Sequence, residues 1–205
     1  MRRIALCVFA LFLGTSLAAG RAIGQQVTQS APSAQAGDKT APSYDMKAQS
    51  LLDLQGLQKK FTGLAEAIPQ EKYGWKPGEG VRTVAELFLH VAGANYGIPN
   101  LIGVATPPGF DGKSYEKSTT DKAKIIGELN KSFASAIAMV QNMTNADFAK
   151  PEKKLGPDAN DGDIVYLLVV HAHEQLGHAI VYARSNGVVP PWTVEALKKK
   201  GSAAP

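Results

Sequence analysis

Apolar residues recur at intervals of three and four along the chain from about residue 50 onward, which is the spacing of amphipathic helices. Four such stripes are separable, and none of them alternates apolar and polar residues as a half-buried strand would. Their first apolar positions are Leu54, Val84, Ile125 and Ile164. Four apolar helices without a strand signal predict an all-α protein with the architecture of a four-helix bundle.

The first two helices carry clear terminal signals. Pro69 closes the first helix, because proline lacks the N–H that would continue the hydrogen bonding. Thr83 followed by Glu86 has the sequence form of a capping box and opens the second helix. Pro99 bends or ends this second helix.

The third helix is predicted to start near Thr120 and Asp121, and the fourth near Asp161 or Asp163, since acidic residues suit the positive end of a helix dipole. Asn186-Gly187 is a left-handed stop signal for the fourth helix. The connections over residues 104–117 and 144–160 are rich in glycine, proline or polar residues. They are long enough for a bundle topology other than simple up-and-down.

The fourth helix is apolar almost all round from Ile164 to Val170. A helix that is hydrophobic on every side is expected to be buried. The pattern therefore predicts that the first half of this helix is central in the bundle.

The N-terminus has the form of a secretory signal peptide. Arg2 and Arg3 precede an apolar run over residues 4–17, followed by small residues suited to cleavage after Ala19 or Gly24. The run is shorter than the roughly 18 apolar residues of a spanning helix, which favours a cleaved signal peptide over an uncleaved anchor. No membrane span is therefore expected in the mature chain. The predicted protein is exported and is periplasmic or extracellular.

The domain organisation follows from these assignments. Residues 1–24 are a signal peptide and residues 25–45, rich in Ser, Ala, Gln and Pro, are a flexible linker. Residues 46–193 hold the bundle, and residues 194–205 form a short helix or a basic tail.

Charge and cysteine usage exclude several functions. The formal charge of +4 includes three arginines of the signal peptide and no acid from it, so the 22 basic residues fall to 19 against 18 acidic ones after cleavage. No clustered basic face remains, and nucleic acid is excluded as a partner. The only cysteine, Cys7, lies within the apolar run, so the mature chain has neither a disulfide nor a thiol nucleophile.

The four histidines are the main candidates for chemistry. His90 lies in the second helix, and His171, His173 and His178 lie within eight residues of the fourth. Histidine titrates near neutral pH and is the commonest protein ligand of transition metals. Two interpretations are therefore open: the histidines form a metal or acid–base site, or they are ordinary hydrogen-bonding residues.

Helical geometry separates these side chains. His171 shares a face with Glu174, Gln175 and His178, whereas His173 is turned away from that face. His171 and His178 are two turns apart, about 10.5 Å along the axis, which is awkward for two ligands of one ion. The easier pairs combine His171 with Glu174 or Gln175, and His90 would then contribute from the second helix.

Three segments together resemble a known family. They are YGWKPGEGVRTVAELFLHVAGANY over residues 73–96, H-x-H-E-x-x-G from His171, and YARSNGVVPPW over residues 182–192. The chain from Met46 to Thr193 resembles the DinB-like superfamily of damage-inducible four-helix bundles. The resemblance implies that one histidine of the second helix and two of the fourth bind a divalent metal, zinc or nickel, in a pocket open to solvent. His90 and His171 match the first two of these ligands.

The third ligand is where the chain departs from that family. Gln175 stands where the second histidine of the fourth helix is expected, and His178 stands where the family has glutamine. Three arrangements stay open. The ligands are His90, His171 and Gln175 with weak binding; or Glu174 or His178 replaces Gln175 in a rearranged site; or no metal binds.

Two functions follow from the resemblance. The first is a metal-dependent hydrolase or thiol-transferase-like enzyme acting on a small molecule, with Glu174 as general base, or Glu86 if it faces the pocket. The second is a non-catalytic bundle that binds a small ligand or forms a homodimer and has lost full metal ligation at Gln175.

Overall fold

The computed structural model describes residues 44–201. The predicted signal peptide and all but the last two residues of the predicted linker lie outside the described residues. Within this range the chain is helical and contains no β-strand. The helices are α1 (Met46–Ala67), α2 (Val84–Asn100), α3 (Lys122–Asn142), α4 (Asn145–Phe148), α5 (Asp161–Ser185) and α6 (Pro191–Lys199).

Local signals set the ends of the long helices. The predicted capping box is present at the start of α2, where Thr83 accepts from the Glu86 N–H and the Glu86 carboxylate accepts from the Thr83 N–H. A second capping box joins Asn160 and Asp163 at the start of α5. At the end of α5, Gly187 adopts φ 75°, as predicted from the Asn-Gly pair.

Four long helices make the bundle, which confirms the predicted fold class. Helices α1 and α2 each pack along both α3 and α5. Consecutive helices α1 and α2 therefore lie mainly on a diagonal of the bundle, not side by side. A connection between two diagonal helices has to cross one end of the bundle. The long connections of this chain permit such a topology.

Aromatic rings fill the centre of the bundle. Phe61 of α1 lies 5.7 Å from Phe133 of α3 and 6.5 Å from Phe88 of α2, measured between ring centroids. All three are fully buried. Tyr73, in the α1–α2 connection, is also buried and donates a 2.7 Å hydrogen bond to the Ala65 carbonyl, so its polar atom is satisfied.

The segments before and after α5 contain short helices. The polar connection over residues 144–160 contains α4, whose Phe148 packs against Gly162 at the start of α5. Residues 194–199, from the segment predicted as a short helix or a basic tail, belong to α6, which begins at Pro191 and packs on α1. Proline suits the first position of a helix, because its missing N–H needs no partner there.

The prediction that the first half of α5 is central was wrong. Ile164, Val165 and Leu168 are buried, but Tyr166 is 59% exposed and Val170 is 42% exposed. A four-helix bundle has no central helix, so every helix keeps one face towards solvent. By length and composition α5 is also the one helix among the described residues that could cross a membrane, and 44% of its most apolar window is buried against the bundle.

Candidate functional site

Two of the predicted ligands meet between α2 and α5. Nε2 of His90 lies 3.0 Å from Nε2 of His171, although the residues are 81 positions apart in the chain. The two rings meet edge to face, with an interplanar angle of 64°. The two rings meet because α2 and α5 are direct neighbours in the bundle.

Glu116 fixes the orientation of the His90 ring. Nδ1 of His90 donates a 2.7 Å hydrogen bond to Glu116 Oε1, because an ionised carboxylate can only accept. Arg82 holds the same carboxylate through Nε at 2.7 Å and Nη2 at 3.1 Å. His90 is thereby held in the tautomer whose Nε2 carries a lone pair directed towards His171.

The loop between α2 and α3 places Glu116 at this position. Its neighbour Tyr115 donates a 2.7 Å hydrogen bond to Glu128 of α3. The Tyr115 ring also lies over Gly93 of α2, where a Cβ atom would come within 3.2 Å of it. Tyr115 is therefore an anchor that sets the position of Glu116 against His90.

The environment lowers the pKa of His171. Burial is the largest cause, and the positive charges that His90 and Arg82 carry when protonated add to it, while Glu174 opposes it. Nδ1 of His171 is buried without a hydrogen-bond partner among the described residues. His171 is consequently held as a neutral imidazole, which is the form that binds metals.

The pKa of Glu116 is also lowered. Burial alone would raise it, but the hydrogen bonds from Arg82 and His90, the positive charge of Arg82 and the charge that His90 carries when protonated outweigh that cost. The carboxylate is thus ionised across the neutral range. A charged carboxylate behind a histidine increases the basicity of its other ring nitrogen.

The other predicted ligands, Glu174, Gln175 and His178, differ in how they are placed relative to the two histidines. Gln175, one turn after His171, is buried, and its Oε1 accepts a 3.3 Å hydrogen bond from Nδ1 of His178. No group of three His, Cys, Asp or Glu side chains within residues 44–201 is placed to hold one ion. Neither Glu174 nor His178 therefore completes a three-ligand set with His90 and His171 in this arrangement.

A pocket of about 890 Å³ lies beside the two histidines, with its walls formed by their neighbours and not by His90 or His171 themselves. Its walls include Glu116, Glu174, Gln175 and His178, and also Glu86. Charges of both signs line it, since Lys76, Arg82 and Lys117 also contribute. The pocket is large enough for a small molecule.

The pocket carboxylates differ in what they contact. Glu86 is bound to the Thr83 N–H in the capping box, and Glu116 is bound to Arg82 and His90. Glu174 is exposed and makes no hydrogen bond or ion pair with another described residue. Of these three, Glu174 alone has both oxygens free to exchange a proton with a ligand.

His173 lies on the other side of α5, as predicted. Its Nε2 is 3.7 Å from a carboxylate oxygen of Asp53 on α1, and its side chain is half exposed. The sequence pattern missed Glu116 and the role of Arg82. Arg82 lies in the RTVAEL segment that carries part of the family resemblance, but Glu116 sits in a loop with no pattern that would connect it to His90.

The two histidines fit a divalent ion. Two nitrogens bound at 2.0–2.1 Å to one tetrahedral ion lie roughly 3.3 Å apart, close to the observed 3.0 Å. His90 also has the carboxylate partner that metal-binding histidines usually have. The neutral amide of Gln175, one helical turn from His171, is the remaining donor predicted from the sequence.

Comparison with solved structures supports the fold. A DinB-like protein from Bacillus cereus ATCC 10987 superposes with a TM-score of 0.61 at 15% identity, over 70% of this chain and 95% of that one. YfiT from Bacillus subtilis, described as a probable metal-dependent hydrolase with an unusual four-helix bundle topology, has a TM-score of 0.57 at 16% identity, over 74% of this chain and 93% of its own. At such identities the likeness concerns the fold alone.

Family membership rests on a separate comparison. No curated protein matches the chain. The family model of the DinB superfamily matches residues 53–179, which is more than half of the chain and includes the four histidines. The chain belongs to the DinB superfamily.

Proposed function

We propose that this protein binds a divalent metal ion through His90 and His171, with Gln175 as a weak third ligand, and hydrolyses a small molecule in the adjoining pocket. The observation that carries the proposal is the 3.0 Å approach of the two Nε2 atoms, with Glu116 behind His90. The description of YfiT as a probable metal-dependent hydrolase agrees with this class of reaction.

Each residue has a defined part in the proposal. A bound ion would supply Lewis acidity and activate water for attack. Glu174 takes the proton, because it is the pocket carboxylate without another partner. Arg82 and Glu116 keep the His90 ring in place and leave its Nε2 free.

Metal analysis of protein purified without an affinity tag tests the binding. We expect up to one zinc or nickel ion per chain, lost in His90→Ala and in His171→Ala. His173→Ala is the matched control, because His173 lies on the far side of α5 and should leave the metal content unchanged. A metal content that is the same in His90→Ala and in the native chain would rule out this site.

Catalysis is tested separately from binding. Glu174→Gln should keep the metal and reduce the rate of ester or amide hydrolysis by about 10²–10⁴-fold, the usual contribution of a general base. Glu79→Gln is a suitable control, since Glu79 is an exposed carboxylate paired with Lys76. An unchanged rate in Glu174→Gln would remove Glu174 from the mechanism.

A second candidate function follows from Gln175. A neutral amide is a poorer donor than imidazole to zinc or nickel, so the pocket can serve as a binding site that works without an ion. In that case a small ligand raises the melting temperature equally with and without chelator. A shift that disappears with chelator supports the metal-dependent function instead.

Export belongs to the same proposal. The signal peptide proposed for residues 1–24 would place the mature bundle outside the cytoplasm, away from intracellular thiol pools. This argues for hydrolysis in preference to thiol transfer. N-terminal sequencing of the secreted protein should give a start after Ala19 or Gly24, and recovery of the full-length chain from the cytoplasm would contradict export.

A further inference from the structure

The charged side chains that line the pocket beside the two histidines are not equally available to a ligand. Arg82 is held by the Glu116 carboxylate through two hydrogen bonds, of 2.7 and 3.1 Å. The Glu86 carboxylate accepts from the Thr83 N–H in the capping box. These three charged groups are therefore already bound within the protein.

Two lysines of the pocket remain available to a ligand. The ammonium group of Lys117 makes no hydrogen bond or ion pair with any other residue in the described range, 44–201. Lys76 is paired with Glu79 at 3.0 Å, but the Glu79 side chain is 94% exposed, and such surface pairs are weak. Lys76 lies in the α1–α2 connection and Lys117 in the loop between α2 and α3, so the two cations line the pocket from different segments.

The charge of the pocket favours an anionic ligand. Three lysine and arginine side chains and three glutamates line it, so their formal charges cancel. The divalent ion of the proposed function then leaves the site with an excess of positive charge. Low-dielectric walls focus the field of such a site and attract ligands of opposite charge. The unpaired carboxylate of Glu174 lies on α5, whereas both available lysines lie in loops, so repulsion and attraction come from different walls.

The same pocket has an apolar wall. Val81 is 44% exposed and lines the pocket together with Leu87 and Tyr182. The Tyr182 hydroxyl donates a 3.1 Å hydrogen bond to the Arg82 carbonyl, which holds the backbone next to Val81 against α5. Pockets for small molecules combine such an apolar surface with a few charged groups that orient the ligand. The ligand that fits this pocket therefore has an apolar part as well as a negative charge.

The groups that commonly bind phosphate are occupied at this pocket. An arginine fork suits phosphate, but the fork of Arg82 is bound to Glu116. The N-terminus of α2 also reaches the pocket, but the backbone N–H groups of residues 83–86 all have partners within the protein. Lysine ammonium groups act as flexible point charges, and two of them suit a singly charged carboxylate.

We propose that the substrate is a small amphipathic carboxylate, an ester or amide whose carboxylate binds Lys117 and Lys76 and whose apolar part lies against Val81. The inference rests on the proposed function for the reaction, but recognition of the carboxylate does not require the reaction. In the hydrolysis the water oxygen bonds to the acyl carbon and the bond from that carbon to the leaving nitrogen or oxygen breaks. The proton that Glu174 takes from water passes to the leaving group. The two lysines determine specificity, because they contact the part of the substrate that does not react.

NMR titration with hexanoate and hexanamide tests the recognition of charge without any reaction. Chelator is present, so that hexanoate cannot bind to a metal ion instead. The native protein should bind hexanoate about fivefold more tightly than hexanamide, and Lys117→Gln should lose most of this preference with its affinity for hexanamide unchanged. Lys113→Gln is the matched control, since Lys113 is an exposed lysine of the same loop outside the pocket, and it should keep the preference.

Three outcomes of this titration would overturn the proposal. The first is a native protein that does not bind hexanoate or binds both probes equally. The second is an unchanged preference in Lys117→Gln. The third is tighter binding of hexyl phosphate than of hexanoate with the same dependence on Lys117, which would make the site one for phosphate.

Hydrolysis of two 4-nitroanilides by the zinc-loaded protein tests the substrate class. The compound made from succinic acid keeps a free carboxylate, and the one made from butyric acid is neutral. Lys117→Gln should raise KM for the succinic compound by about fivefold and leave kcat unchanged, because the lost contact is the same in the ground state and the transition state. A fall in kcat for both compounds would contradict a role in specificity. Hydrolysis of neither compound, with the preference for hexanoate retained, would refute the proposed reaction and still support the carboxylate site.

Discussion

Glu116 accepts a 2.7 Å hydrogen bond from Nδ1 of His90, across 26 residues of sequence. This contact decides which nitrogen of His90 faces His171. It also ties the site to the loop between α2 and α3, because Glu116 lies in that loop and is held there by Arg82 and Tyr115. The site is therefore built from three parts of the chain, α2, α5 and this loop.

Removing the charge of Glu116 should weaken metal binding. Loss of a carboxylate behind a ligating histidine typically reduces metal affinity by about 10–100-fold, and we expect this of Glu116→Gln in a titration with zinc. Glu79→Gln is the control, since its exposed ion pair with Lys76 lies outside this network. Equal affinity in Glu116→Gln and the native chain would show that the contact has no role in binding.

Restoring the missing histidine should strengthen metal binding. Gln175→His places an imidazole four residues after His171, and we expect zinc or nickel affinity to rise by more than about tenfold, or roughly 1.4 kcal/mol. Calorimetric titration measures the change. Ser185→His, an exposed position at the end of the same helix, controls for a histidine added elsewhere on α5. No gain in Gln175→His would mean that Gln175 does not face the two histidines.

The stability of the metal-free protein should fall on mild acidification. The pKa of His171 is lowered from 6.5 in the folded state, mainly by burial, so the unfolded chain binds a proton at a pH where the folded chain does not. The stabilisation is complete above about pH 6.5 and is lost as the pH falls towards the lower folded pKa.

Urea unfolding in the presence of chelator at several pH values from 7 downward measures this loss. His171→Gln should show a weaker dependence of the free energy of unfolding on pH in this window. His173→Gln, on the opposite side of α5, should keep the native slope. The prediction fails if His171→Gln and the native chain have the same slope.

Two glycines of α2 should respond oppositely to alanine. At Gly97 a Cβ would meet nothing within 4 Å, so Gly97→Ala should stabilise the protein by up to about 1 kcal/mol through helix propensity. At Gly93 a Cβ would press on the Tyr115 ring, which Glu128 and Phe110 hold in place. Gly93→Ala should therefore destabilise the fold by about 1–3 kcal/mol.

Thermal unfolding measures both glycine variants. Gly93→Ala should also lower metal affinity, because a displaced Tyr115 moves its neighbour Glu116. Stabilisation of similar size in both variants would show that Tyr115 moves aside freely and does not anchor the loop.

Local interactions account for the part of the fold that the sequence determined by itself. The capping box of Thr83 and Glu86 and the stop at Gly187 involve only residues close together in the chain. The local sequence was therefore sufficient to predict both. The apolar stripes likewise predicted the four long helices and the all-α bundle, since burial of a stripe requires other helices. His173 was placed away from the site by helical geometry alone.

Contacts between distant segments were decided only by the tertiary structure. Which helices become neighbours determines that His90 meets His171, and the path of a glycine- and proline-containing loop brings Glu116 to His90. The sequence also did not show which face of α5 is exposed to solvent, because an apolar residue looks the same in the sequence whether or not a neighbouring helix covers it. Spacing along one helix fixes which side chains share a face, whereas only packing fixes what that face contacts.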